Sequence, residues 1–227
     1  MEPFRNPRVK ICCIANAKEA WLAIRYGASA LGLVSEMPSG PGVIPESTIA
    51  NIARIVPPSV TSFLLTSKQN PSVIIEQHKH CGTNVIQLCD QLKIESYKEL
   101  REAMLGIGFV QVIHVTGEET LKEALSVAPH VNGILLDSGN QTLRVKQLGG
   151  TGRTHDWSLS RRIRQKVNIP VFLAGGLTPE NVVEALRQVQ PFGVDVCNGV
   201  RTNGELDERK LVAFFKAVST YTSSNKD

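Results

Sequence analysis

Short, almost unbroken apolar runs recur eight times along the chain, and each is followed by a stretch with the spacing of an amphipathic helix. The runs are VKICCI (9–14), ALGLVS (30–35), TSFLLT (61–66), VIQLC (85–89), VQVIHV (110–115), GILLDS (133–138), PVFLA (170–174) and GVDVCN (193–198). A strand with one wet face alternates apolar and polar residues, whereas continuous runs belong to a parallel sheet covered on both faces. Helix starts punctuate the intervals. Asn70-Pro71 and Thr178-Pro179 set a capping residue before a first-turn proline, Ser96 and Glu99 have capping-box spacing, and Asp156 and Asp207 stand where caps belong. Leu211, Phe214, Phe215 and Val218 give the last helix one apolar face. Eight βα units in 227 residues predict an α/β chain folded as one (β/α)8 TIM barrel. An open doubly wound sheet would show fewer strands and an early GxGxxG turn. One domain over 1–227 is expected, with its core at about 9–221 and polar ends.

Composition narrows the partners. The net charge of +4 is dispersed, and the one basic run, RRIRQK (161–166), reads as the solvated face of a helix. This favours a small anionic ligand over nucleic acid. No apolar run reaches the roughly 20 residues that span a bilayer, and MEPFRNPR lacks the apolar stretch of a signal peptide. Five cysteines without framework spacing point to reduced thiols and a cytoplasmic location. No CxxC, HExxH or histidine spacing predicts a metal.

In a barrel of this kind the chemistry sits at the C-terminal ends of the strands. Along the first strand Lys10 and Cys12 share a face, and a lysine is poorly suited to the helix layer, so both are expected inside the barrel. Cys13 is then expected to pack against a helix, its thiol turned away from that of Cys12. On strand eight Asp195 and Cys197 share a face, and barrel closure makes that strand the neighbour of the first. Lys10 and Asp195 are expected to pair there, unless either charge reaches solvent at the mouth. The ammonium would favour a thiolate at Cys12, for which plain packing is the competing reading. Asp137 ends strand six, where it is a catalytic carboxyl or a cap for the following loop. That loop, 139–156, is long and carries GGTG (149–152). AGGL (174–177) and CNGV (197–200) follow strands seven and eight, the usual phosphate site of the fold.

Together KIC (10–12), LLDS (135–138), GGTGRTHDW (149–157), AGGLTPENV (174–182) and GVDV-x-x-GV (193–200) resemble the phosphoribosylanthranilate isomerase family, in order from about residue 8 to 220. The resemblance implies a ribulose-phosphate-binding barrel that needs no metal or cofactor. It also implies an Amadori rearrangement of N-(5-phosphoribosyl)anthranilate to its 1-deoxyribulose form, in tryptophan biosynthesis. Carried over by position, Cys12 is the general base at C2 of the opened sugar and Asp137 is the acid that protonates the ring oxygen. Gly175, Gly176, Asn198 and Gly199, joined by Gly150, form the phosphate cradle. Lys10, Arg153, Asp195 and Arg201 are further candidates for substrate contact. The expected partner is a phosphosugar, bound by a monomer or homodimer.

Four positions depart from the family's pattern. Cys13 replaces a glycine, Cys89 a histidine, and Arg201 a glutamate, while Pro41 falls where an arginine holds the anthranilate carboxylate. Arg153 or Arg201 would compensate, or the aglycone lacks a carboxylate. An epimerase or lyase of the same barrel type, and a non-catalytic sugar-phosphate binder, are the competing functions. The stretch 35–44, rich in glycine and proline, would suit a lid.

Overall fold

The computed structural model describes residues 6–139, 145–150, 152 and 154–224. Eight parallel strands form a closed barrel in sequence order: β1 Arg8–Ile11, β2 Ala30–Val34, β3 Thr61–Thr66, β4 Val85–Leu88, β5 Gly108–His114, β6 Gly133–Asp137, β7 Val171–Leu173 and β8 Gly193–Val196. Closure is explicit in the register of β1, where Lys10 stands opposite Ala30 of β2 on one side and Asp195 of β8 on the other. Helices α1 Ala17–Arg25, α2 Glu46–Ile55, α3 Pro71–Cys81, α4 Ile94–Ala103, α5 Glu119–Val127, α6 Trp157–Lys166, α7 Val182–Val189 and α8 Glu208–Ser224 follow the strands in turn. Among the described residues no helix is long and apolar enough to cross a membrane.

Two cores result from the strands being buried on both faces. The larger contains Ile11, Leu31, Leu64, Ile86, Ile134 and Val194 together with Leu211 and Phe214 of α8, and lies between sheet and helices. The smaller contains Ala30, Phe63, Leu65, Val110, Leu135 and Phe172 and fills the barrel, where Phe63 and Phe172 meet edge to face at 6.2 Å.

Some boundaries differ from the sequence expectation, each for a local reason. Asn70, Asp156 and Asp207 do cap: their side-chain oxygens accept from Ser72 N, from Ser158 N and Leu159 N, and from Arg209 N and Lys210 N. α4 begins at Ile94, which puts Ser96 and Glu99 inside it, and Lys93 at its start supplies no side-chain cap. α7 begins at Val182, later than Thr178-Pro179 implied. Asn181 holds the preceding turn instead, accepting from Thr178 N (2.8 Å) and donating to Gly176 O (2.9 Å). The basic run is not wholly solvated, because Arg164 is buried and donates to Val189 O.

The barrel floor carries an ion pair. Lys10 Nζ and Asp195 Oδ2 lie 3.0 Å apart, both buried, with the ammonium 5.3 Å from the Phe63 ring centre. Gly32 makes room for it, since a Cβ there would meet Cys12 Sγ at 2.8 Å and Lys10 Nζ at 3.0 Å. Burial works against the ammonium, but the charge and hydrogen bond of Asp195, together with the Cys12 and Cys13 thiols, outweigh it and hold the Lys10 pKa above its usual range. Lys10→Met strands Asp195 as an uncompensated buried charge and is expected to cost about 3–5 kcal/mol in urea unfolding. Adding Asp195→Leu should recover most of that loss.

Candidate active site

At the C-terminal mouth of the barrel lies a cavity of about 250 Å³, walled by the strand ends and the loops after them. Cys12, Asp137 and Asp195 line it, as do all five of the glycine and asparagine candidates, Gly150, Gly175, Gly176, Asn198 and Gly199. Arg153 lies outside the described residues.

Three loops reach over the mouth. The one after β2 turns back on its own strand through a Val34–Val43 bridge and donates from Ser39 Oγ to Lys146 O (2.6 Å). Gly150, at φ +66°, packs directly on Pro41, where a Cβ would collide with the proline ring. Asn198 Nδ2 donates to Gly150 O (3.0 Å), so the loops after β2, β6 and β8 meet over the mouth. Lys146 in turn pairs with Asp90, after β4, at 2.6 Å.

One end of the cavity is made of backbone. Gly175 and Gly176 have φ of +81° and +62°, a left-handed backbone that glycine adopts without strain. A Cβ on Gly199 would strike Leu177 O, so this loop and the loop after β7 touch backbone to backbone.

The cavity also holds two groups whose ionisation is shifted in opposite senses. Burial pushes the Asp137 carboxyl up to about 6, helped by the Asp195 charge and opposed by the Ser138 N–H bond. That N–H donates to Oδ1 at 2.7 Å, so Oδ2, facing Gly149 at the cavity wall, is left to carry the acidic proton. For Cys12 the Cys13 thiol is the largest influence and lowers the pKa, against burial and Asp195, with Lys10 assisting.

Three expectations are corrected here. β1 ends at Ile11, and Cys13 has φ +62°, so strand alternation no longer applies and its side chain packs on Gly42 and donates from Sγ to Pro41 O, on the loop after β2, rather than against a helix. This left-handed backbone costs a non-glycine residue about 1 kcal/mol, which accounts for the glycine in the family's pattern. Lys10 lies beneath the cavity with its charge matched by Asp195. Arg201 lies outside the main cavity as well. Its guanidinium donates to Glu19 Oε1 and Oε2 (3.0 and 2.9 Å), Gly204 O and Cys13 O, and it walls a separate cavity of about 240 Å³. It straps the loop after β8 to that after β1.

Sequence reading missed Gln87 and Ser39 as cavity residues. Gln87 is buried, its Oε1 has no partner among the described residues, and its Nε2 reaches only Cys89 Sγ at 3.8 Å. One polar residue inside VIQLC was the available signal. Among the described residues no three His, Cys, Asp or Glu side chains group as metal ligands.

A closed parallel barrel whose C-terminal mouth holds a cavity lined by a buried thiol, a buried carboxyl and glycine turns has the architecture of a barrel enzyme. The family described as N-(5'phosphoribosyl)anthranilate (PRA) isomerase matches residues 9–217. A relative of that name from Haloferax volcanii is 35% identical, over 93% of this chain and 92% of its own. The solved phosphoribosyl anthranilate isomerase of Thermotoga maritima superposes with a TM-score of 0.81 at 31% identity, over 94% of this chain and 99% of that one. Another, in complex with reduced 1-(o-carboxyphenylamino)-1-deoxyribulose 5-phosphate, gives 0.79 at 29%, with the same coverage. The chain belongs to the phosphoribosylanthranilate isomerase family, whose members are isomerases.

The raised carboxyl makes a stability prediction. An unfolded aspartate loses its proton near pH 4, whereas native Asp137 keeps it to about 6. Stability therefore falls as pH rises through that window and is level above it. Asp137→Asn removes the fall. In urea unfolding the variant should match wild type at pH 4 and exceed it by about 3 kcal/mol at pH 8.

Proposed function

We propose that this chain catalyses the Amadori rearrangement of N-(5-phosphoribosyl)anthranilate, with Asp137 as general acid and Cys12 as general base. The observation that carries this reading is the pair itself. Thiol and carboxyl line one cavity, and their surroundings shift the thiol down and the carboxyl up. This moves both groups toward neutrality, where each can exchange protons efficiently.

The phosphate would rest on the backbone of Gly175, Gly176 and Gly199 beside Asn198, which puts the sugar between the two catalytic groups. Asp137 Oδ2 gives its proton to the ring oxygen as the C1–O bond breaks and nitrogen's lone pair forms the C1 iminium. The Cys12 thiolate then removes the C2 proton, and the resulting enolamine relaxes to the ketone. Asp195 holds Lys10 beneath the thiolate, so that a positive charge lies under the anion.

A second reading concerns the aglycone. Among the described residues no Lys or Arg lines the cavity, and Pro41 stands beside Gly150 where the family's pattern has arginine. The wall there is Val34, Met37, Leu65 and Leu148, with Ser39 and Gln87 as neutral polar groups. The alternative aglycone is then a phosphoribosyl amine whose aromatic ring carries no carboxylate.

The test is the fluorescence change on turnover of freshly formed phosphoribosylanthranilate, beside its aniline counterpart. Cys12→Ala and Asp137→Ala should each lose about 10²–10⁴-fold in kcat with the fold retained. Wild-type kcat/KM should show one limb near pH 6. Turnover of the aniline compound alone would establish the second reading, and full activity in both variants would sink the assignment.

A further inference from the structure

We infer that Gln87 binds the reacting nitrogen: its side-chain carbonyl accepts a hydrogen bond from the N–H that joins the sugar to the aglycone. The inference rests on the proposed rearrangement of a phosphoribosyl amine. A buried amide with one end held and the other unused carries it. Gln87 comes from β4, is buried, and lines the main cavity. Its Nε2 lies 3.8 Å from Cys89 Sγ, while Oε1 has no partner among the described residues. Gln111, on the neighbouring β5, shows the contrast. Its Nε2 donates to Leu88 O, Asp90 O and Val112 O, and its Oε1 accepts from Tyr97 Oη at 2.7 Å. A buried carbonyl without a donor has lost its hydration and gained nothing for it. In a cavity wall, such a group marks a place for a donor on the ligand.

The thiol of Cys89 sets which end of the amide stays open. Its S–H donates to the backbone carbonyl of Gln87 at 3.7 Å, and a thiol has one proton to give. Burial pushes that thiol up, so the proton stays on sulfur. The sulfur is then left as an acceptor, takes the NH₂ side of the Gln87 amide, and leaves the carbonyl free.

The place of Gln87 in the barrel selects the donor. β4 stands across the closed barrel from β8, so Gln87 lies on the far wall from the proposed phosphate turns. Its register partner on β3 is Leu65, which forms the apolar wall with Val34, Met37 and Leu148. A substrate with its phosphate at the turns and its aryl ring on that wall brings the C1 nitrogen to the border between them, beside Gln87. As the C1 iminium forms, this N–H acquires positive charge, and no Lys or Arg among the described residues lines the cavity to oppose it. Hydrogen bonds from charged donors are the stronger kind, so the contact tightens toward the transition state.

The experiment measures by calorimetry the Kd of 1-anilino-1-deoxyribitol 5-phosphate and of its 1-phenoxy counterpart, which has oxygen in place of the N–H. Both are used with and without an ortho carboxylate, so the comparison does not depend on the aglycone. Wild type should prefer the anilino compounds by about tenfold. Gln87→Met, of similar length but without the acceptor, should bind the two alike. The phenoxy compound asks nothing of Gln87, and its unchanged affinity in the variant reports an intact site. In turnover Gln87→Met should lose about 10²-fold in kcat and at most about threefold in KM. Equal affinities in wild type would overturn the proposal without any variant, as would a preference that persists in Gln87→Met. Full activity in Cys12→Ala and Asp137→Ala would instead overturn the rearrangement as assigned to them. A wild-type preference abolished by Gln87→Met would still establish the contact.

Discussion

The Lys10–Asp195 pair at the barrel floor is the constraint on which the site depends. Buried charges persist only when paired, so β1 and β8 are held in the register that brings these two residues opposite each other. That register fixes the height of the residues further along each strand. Two residues beyond Lys10 is Cys12, and just beyond Asp195 are Cys197, Asn198 and Gly199, so the floor pair sets the thiol and these loop residues at one level. The same pair supplies a charge gradient, with the ammonium under the thiol and the carboxylate beside it.

Elsewhere, charges are matched away from the cavity. Glu19 answers Arg201, and Asp90 answers Lys146. The described lining is therefore neutral apart from Cys12, Asp137 and Asp195 with the neighbouring thiols.

The strand pattern made the barrel legible because parallel strands buried on both faces leave a distinctive apolar run; TSFLLT matches β3 residue for residue. The pairing of Lys10 with Asp195 was readable from alternation together with closure of the barrel. What alternation could not give was the point at which it stops. Cys13 has an ordinary side chain in an apolar run, and nothing in VKICCI marks the left-handed turn that redirects it. Arg201 looked free for a carboxylate because its partner Glu19 is distant in sequence, across the β1–β8 seam. Ser39 and Gln87 are polar residues without a motif, and only the folded loop and strand reveal that they face the cavity.

The contact between Cys13 and Gly42 also has a consequence for how this sequence can change. Any side chain at Gly42 would run into Cys13, and that glycine is at φ +80°, where other residues are themselves strained. A larger residue at 42 is therefore tolerable only after position 13 has been trimmed. The two positions, far apart in the chain, form an epistatic lock: drift must open it from the β1 side first, and a graft of either loop from a relative must carry the other with it.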